Sequence, residues 1–155
     1  MIIRQYSNIY FDSWKEMRMK LWPESTEVEH EEEMEVISSG ACFDDELEWY
    51  VIVAYEKDKV VGFAETSLRE SIEQHQESPI AYLEGWYVSD SFRQRGIGKS
   101  LVVQVEKWAQ ERNCKSVASD VEYHNIISLK AHKKLGFRVI DENDEGYILI
   151  KKIEE

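Results

Sequence analysis

The chain predicts one α+β domain built on a mixed sheet of about seven strands. Three observations carry that class. Trp49 to Leu68 holds two alternating, β-rich runs joined by Lys57-Asp58-Lys59, the pattern of an antiparallel hairpin. Ile80 to Val88 is an apolar run that leads through Arg93-Gln-Arg-Gly96-Ile-Gly98-Lys99 into a stretch of helical periodicity from Ser100 to Arg112. No linker or internal repeat divides the 155 residues, so 1–155 reads as a single domain long enough for a real core.

The elements follow in order. Ile2-Ile3-Arg4 is a short first strand. Ser7 or Asn8 caps a helix through about Leu21, with Ile9, Trp14, Met17 and Leu21 as its apolar stripe, and Pro23 ends it. Thr26 followed by Glu29 is a capping-box pattern that starts a second helix to about Ser38, stopped at Gly40. Most of that helix is glutamate, so its exposed face is expected to be strongly negative. Trp49 to Glu56 and Val60 to Leu68 form the hairpin, and the polar stretch 69–79, ending in Ser78-Pro79, is a loop. Ile80 to Val88 and Ser116 to Val121 are strands on either side of the glycine turn and its helix. Asn125 to Leu135 is a helix closed by Gly136, and Phe137 to Asp141 and Tyr147 to Lys152 are strands turned by Asn143 to Gly146.

Bulk properties exclude several classes. At 43% hydrophobic residues the chain is neither disordered nor membranous, and no apolar run approaches the ~18–20 residues that cross a bilayer. The start, Met1-Ile-Ile-Arg-Gln-Tyr, lacks a signal-peptide pattern, so a cytoplasmic protein with no membrane partner is expected. Cys42 and Cys114 have no metal-ligand spacing and no neighbouring His cluster, which argues against a zinc site and a disulfide framework; buried free thiols are expected. Asp and Glu total 31 against 19 Lys and Arg, a net charge of −12. That balance repels nucleic acid and attracts a cationic partner. The acid concentrates over Glu24 to Glu35, whereas Arg93, Arg95 and Lys99 gather at the glycine turn, placing a basic mouth beside an acidic surface.

A strand, a glycine-bearing turn and a helix N-terminus form an anion-binding device. Glycines admit close backbone approach, the first-turn N–H groups point outward, and the helix dipole adds positive charge. The turn is not Gly-x-x-x-x-Gly-Lys-Ser/Thr, and it lacks the three-glycine dinucleotide fingerprint. The expected phosphate therefore belongs to a carrier rather than to a nucleoside triphosphate, held by Arg93, Gln94, Arg95, Gly96, Ile97, Gly98, Lys99 and Ser100.

These motifs resemble the GNAT family of N-acetyltransferases. Arg93-Gln-Arg-Gly96-Ile-Gly98 satisfies the family pattern Arg/Gln-x-x-Gly-x-Gly/Ala, and Asn125, His132 and Leu135-Gly-Phe137 follow in the order of a second family motif. A narrower resemblance, to aminoglycoside 6′-N-acetyltransferases, rests on Leu21-Trp22, Leu83-Glu84-Gly85, Ala118-Ser-Asp120 and His132, which stands where many members of the family carry Tyr. The resemblance implies the GNAT fold: a mixed, mostly antiparallel central sheet with helices on both faces. It implies acetyl-CoA as cosubstrate, no metal, a small cationic amine as acceptor, and often a homodimer. Trp86, Tyr87 and Val88 would run beside pantetheine, in a slot where their strand splays from Ser116–Val121, and Asn125 would contact pantetheine. A helix N-cap is the local alternative for Asn125.

Acetyl transfer needs an unprotonated amine. Glu84 is the candidate to bind the ammonium and take its proton, directly or through water. On strict strand alternation it shares a face with Trp86 and Val88, where a carboxylate is costly unless paired. A structural Arg or Lys partner is the alternative. His132 is placed by the resemblance near the thioester sulfur, as proton donor to the thiolate or as a hydrogen-bond partner. Asp120 is a second carboxylate for the acceptor, or a turn-former. Asp141 is a third in the resembled subgroup, and Trp22 is a wall for a sugar ring, or a core residue. The leading expectation is transfer to an aminoglycoside 6′-amine by direct attack, since neither cysteine sits in an activating setting. Other small amines, polyamines, protein amino groups, or a coenzyme A sensor without catalysis are the alternatives.

Overall fold

The computed structural model describes residues 1–42 and 46–154. Seven strands, β1 (Ile2–Gln5), β2 (Glu46–Glu56), β3 (Lys59–Arg69), β4 (Ile80–Val88), β5 (Ser116–Glu122), β6 (Arg138–Glu142) and β7 (Gly146–Lys152), form one sheet in the order β1-β2-β3-β4-β5-β7-β6. Every neighbouring pair is antiparallel except β4 and β5. Helices α1 (Phe11–Leu21) and α2 (Glu27–Ser38) cover one face, and α3 (Ile97–Glu111) and α4 (Ile126–Lys134) the other.

Local chemistry explains most boundaries. Lys57 and Asp58 both lie at positive φ, the two-residue turn whose twist matches a β-hairpin. Thr26 and Glu29 form the capping box: the Glu29 N–H donates to Thr26 Oγ1 at 3.1 Å, and the Thr26 N–H donates to Glu29 Oε1 at 2.9 Å. Gly40 and Gly136 end α2 and α4 in left-handed conformations. The first helix differs from expectation. A 3₁₀ turn over Asn8–Tyr10 precedes it, the Ser7 side chain makes no cap bond, and α1 begins at Phe11. Ile9, on that turn, is 82% exposed, whereas Trp14 and Met17 enter the core. Cys42 is exposed rather than buried, because it lies beyond the end of α2, while Cys114 is buried.

Two cores result. Trp14, Met34, Val53 and Phe63 fill the space under α1 and α2, and Leu83, Leu101, Val105, Val117 and Phe137 fill the space under α3 and α4. Each such side chain contributes roughly 1.5–3 kcal/mol by leaving water. Truncating Leu101, which is fully buried, to Ala would cost about 2–5 kcal/mol.

Strand β4 positions the site through two irregularities. Its parallel pairing with β5 covers only Ala81–Leu83 against Val117–Ser119, so the strands part beyond Leu83. Its pairing with β3 shifts there too: Thr66 opposes Leu83 and Glu65 opposes Gly85, leaving Glu84 as an extra residue in a β-bulge. The bulge overturns the expected facing. Leu83, Trp86 and Val88 point to the α3 side. Glu84 points the other way, toward Ser67 and Arg69.

Candidate active site

The wedge between β4 and β5 leaves Glu84 to Val88 without β5 partners and Asp120 to Glu122 without β4 partners. Main-chain groups along such an open edge can pair with an extended ligand carrying amides. At the wide end, Gln94 (φ 64) and Gly96 (φ 82) turn the chain into α3. The Ser100 N–H to the Gly96 carbonyl is the first bond of the helix, so the N–H groups of Ile97, Gly98 and Lys99 remain available, and no acidic side chain occupies that first turn. Gly98 lies under Trp86: a Cβ there would come within 3.0 Å of the indole, and Trp86 Nε1 donates to the Gly98 carbonyl at 3.1 Å. Arg93 is tied back, with Nε donating to the Val88 carbonyl at 2.8 Å and Nη1 paired to Asp90, and its guanidinium lies over Tyr87. Arg95 covers Phe92, and Lys99 is exposed. A free set of N–H donors with cations beside it fits a pyrophosphate, and the open strand edge fits pantetheine.

Two carboxylates face the wedge from opposite strands. Glu84 Oε2 accepts from Ser67 Oγ at 2.6 Å and from Arg69 Nη2 at 2.5 Å. No protein group among the described residues bonds Oε1. Burial raises the Glu84 pKa; Arg69 and Ser67 pull it down, and Asp120 adds to the rise. Asp120 Oδ2 accepts from the Tyr82 hydroxyl at 2.6 Å, and the Arg69 guanidinium stands 4.1 Å from the centre of the Tyr82 ring. Although Asp120 is exposed, its carboxyl sits down in the cleft, where loss of water raises its pKa against the lowering effect of the Tyr82 bond. Tyr82 is raised as well, by burial first and then by Asp120. Arg69 therefore bridges the settings of both carboxylates.

His132 is 2% exposed and packs edge-on to Trp86 and Phe137. The carbonyl of Ser128 can only accept, so Nδ1 carries a hydrogen and donates to it at 2.8 Å. In the neutral ring Nε2 has no hydrogen and can only accept, so the single hydrogen of Ser119 Oγ is shared between Nε2 at 2.9 Å and the Leu83 carbonyl at 3.1 Å. Burial lowers the His132 pKa, and the Ser128 bond opposes that shift. Asn125 is the α4 N-cap, its Oδ1 accepting from the Ser128 N–H at 3.1 Å, and its remaining amide group borders the wedge.

Two joined chambers form the cleft. The smaller, about 80 Å³, lies at the wedge and is lined by Glu84, Trp86, Ser119, Asp120, Asn125 and His132. The larger, about 340 Å³, lies against α1 and α2 and is lined by Arg18, Glu33, Trp49, Glu65 and Arg69. Trp22, Glu24 and Glu84 border both. Trp22 follows α1, and its indole overlies Gly85, where a Cβ would fall 2.6 Å from Cη2. Asp141 is not brought here. It is exposed on β6, beyond β5 and β7, and its Oδ1 accepts from the Glu142 N–H. Sequence reasoning missed Ser67, Arg69, Tyr82, Ser119, Arg18 and Glu65. The signal for three of these residues was the polar run Glu65-Thr66-Ser67, followed by Arg69, at the end of a strand that is apolar from Val60 to Ala64. Among the described residues no group of three His, Cys, Asp or Glu is disposed to hold a metal ion, and no helix is long and apolar enough to cross a membrane.

An α+β sheet splayed at β4 and β5, with an N–H-lined turn at the wide end and a bulged carboxylate at the narrow end, defines an acyl-carrier transferase, and the profile of the acetyltransferase (GNAT) family matches residues 11–137. The chain belongs to that family and is an N-acetyltransferase that draws its acetyl group from acetyl-CoA. Among its relatives, the aminoglycoside N(6′)-acetyltransferase type 1 of Salmonella typhimurium is 35% identical over 98% of this chain and 99% of its own. The aminoglycoside antibiotic 6′-N-acetyltransferase of Acinetobacter haemolyticus superposes with a TM-score of 0.82 at 30% identity, over 92% of this chain and 94% of that one. The aminoglycoside N-acetyltransferase AAC(6′)-Iy, solved with the bisubstrate analog CoA-S-monomethyl-acetylneamine, superposes with a TM-score of 0.80 at 32% identity, over 92% and 93% of the two chains.

Proposed function

We propose that this enzyme acetylates the 6′-amino group of an aminoglycoside by direct attack in a ternary complex. The observation that carries the reading is Glu84, anchored through Oε2 and open through Oε1 at the junction of the two chambers. Its role is to hold the incoming ammonium and take one proton, directly or through water, leaving a lone pair on nitrogen. The C–N bond then forms as the C–S bond breaks, and the second amine proton balances the departing thiolate. Asp120 and the carboxylates of the larger chamber hold the remaining cationic groups, and Trp22 offers a ring face to the sugar. The N–H groups of Ile97 to Lys99, with Gln94, Arg95, Gly96 and Ser100 around them, hold the pyrophosphate. The β4 edge from Trp86 to Val88, braced by Arg93, and the Asn125 amide hold pantetheine. His132, neutral through burial, holds Ser119 Oγ in place rather than acting as a standing imidazolium, and the Ser119 hydroxyl turns its one hydrogen from Nε2 or the Leu83 carbonyl to the departing sulfur.

The reading includes a cytoplasmic enzyme with no nucleic-acid or membrane partner, supported by the net charge of −12. It also includes a homodimer, which sedimentation decides. An acceptor panel of kanamycin A, spermidine and a basic peptide tests the acceptor, with the acetylated position determined by NMR. The expected result is a single product acetylated at the 6′-nitrogen of kanamycin A. Turnover of spermidine or the peptide with no deoxystreptamine acceptor overturns the aminoglycoside reading, and acetyl-CoA binding without transfer identifies a sensor.

A further inference from the structure

We propose that Arg18 is a positioning residue for the acceptor: its guanidinium, locked beneath the cleft, holds the Trp22 indole as the wall on which an acceptor ring packs. The inference rests on the acceptor-wall role of Trp22 proposed above. Arg18 and Glu65 are each 2% exposed, yet both line the larger chamber. Burying such a pair is a poor route to stability, because desolvation offsets most of the attraction and apolar residues of similar volume would serve the fold as well. The geometry gives the pair another task.

Arg18 Nη1 donates to Glu65 Oε1 at 2.7 Å, and the same oxygen accepts from Trp14 Nε1 at 2.7 Å. These bonds set the guanidinium from β3. Its centre lies 4.9 Å from the centre of the Trp22 ring, one helical turn further along. Arg18 also controls the Trp22 main chain. Its Nε donates to His30 Nδ1 at 3.2 Å, and an arginine has no acceptor. His30 Nδ1 must therefore accept, so Nε2 carries the hydrogen and donates to the Trp22 carbonyl 3.1 Å away. The His30 ring lies at 20° to the indole plane. One buried cation thus fixes both the ring and the backbone of Trp22, and Gly85 leaves the space into which the indole edge fits.

The first test reads the wall without any acceptor. In protein labelled with 5-fluorotryptophan, the Trp22 resonance, assigned with Trp22→Phe, is expected to be sharp in the parent. In Arg18→Met it is expected to shift or broaden, with Trp49, Trp86 and Trp108 unmoved. An unchanged Trp22 resonance overturns the inference. The second test is kinetic and uses the best acceptor of the panel, so failure of the aminoglycoside reading shows separately as a change of acceptor. Arg18→Met is expected to raise acceptor KM about tenfold, between the scales of an exposed and a desolvated cation–π contact, with acetyl-CoA KM unchanged. A purely structural role would lower apparent kcat and leave both KM values alone. Gly85→Ala crowds Trp22 while keeping the Arg18–Glu65 pair, and it is expected to raise acceptor KM as well. In a Trp22→Ala background the further effect of Arg18→Met is expected to fall below about twofold; full additivity overturns the coupling.

Discussion

The two walls of the cleft are built from different material. The cofactor wall is main chain: an unpaired β4 edge, the N–H groups that open α3, and Gly96 and Gly98 where the backbone must turn or approach closely. The acceptor wall is side chain: Trp22, Glu84, Asp120 and their supports from α1, α2, β3 and β5. Apart from the Asn125 amide, the first lies within residues 84–100. The second depends on bonds such as Arg18 to Glu65, 47 residues apart. A backbone wall survives most substitutions, whereas a side-chain wall changes with any member of its network. This division lets one scaffold keep its acyl donor while its acceptor varies.

The sharpest test of the division is Glu84→Gln. The variant keeps the bulge and the volume but removes the base, so turnover is expected to fall by about 10²–10⁴-fold while acetyl-CoA affinity by calorimetry stays unchanged. Loss of acetyl-CoA binding in parallel would show the walls to be one unit. The pH profile carries the same information. Because burial raises the Glu84 pKa, the carboxylate is lost as pH falls through a range above that of an ordinary glutamate, giving kcat/KM an acid limb there. Glu84→Gln is expected to remove that limb from the residual rate.

The reciprocal substitution is Gly98→Val. Its side chain would crowd the Trp86 indole, already 3.0 Å from the position of a Cβ, and displace the start of α3 from β4. Acetyl-CoA KM is expected to rise about tenfold, the scale of ~1.4 kcal/mol, with acceptor KM changed less than twofold. Equal rises in both constants would break the comparison.

The same contrast explains what was legible in the chain. The glycine turn, the capping box at Thr26 and the α4 cap at Asn125 are local devices in which residue type and spacing encode the geometry, and each appears where its pattern stands. The facing of Glu84 departs from strict alternation because a bulge is a property of two strands, here β3 against β4, and the pattern within one strand cannot contain it. Arg69 was missed for a similar reason. On its own strand it is a polar end residue, and only pairing with β4 brings it to Glu84 and Tyr82. Asp141 was assigned by resemblance alone, with no local signal on β6 to support it.

A subtler probe is the dependence of stability on pH. Burial pushes the Glu65 carboxyl up to about 7, against the lowering effects of Arg18 and Trp14. A carboxyl raised in the fold binds its proton more tightly there than in the unfolded chain. Its stabilising contribution is therefore full below the ordinary glutamate range and is lost as pH rises toward 7. His132 acts oppositely: lowered in the fold, it favours the folded state above the ordinary histidine range and loses that contribution as pH falls. Relative to Glu65→Gln, the Tm of the parent is expected to decline by about 3 °C more between pH 5 and pH 7. A parent and variant with parallel Tm profiles would mean that Glu65 is ionised throughout.

The smallest expected effect concerns Asp141. It is exposed on β6, separated from β4 by β7 and β5, and its carboxylate is occupied by the Glu142 N–H next to it. Nothing in one chain carries it to Glu84. Asp141→Asn is therefore expected to change acceptor KM less than about twofold and stability by less than about 0.5 kcal/mol, as for an ordinary surface substitution. Steady-state kinetics with kanamycin A measures the first, and urea denaturation the second. A large rise in acceptor KM with unchanged stability would require the carboxylate to reach a cleft other than its own, which only a second copy of the chain provides. The acceptor wall would then be completed between subunits, while the cofactor wall would remain within one.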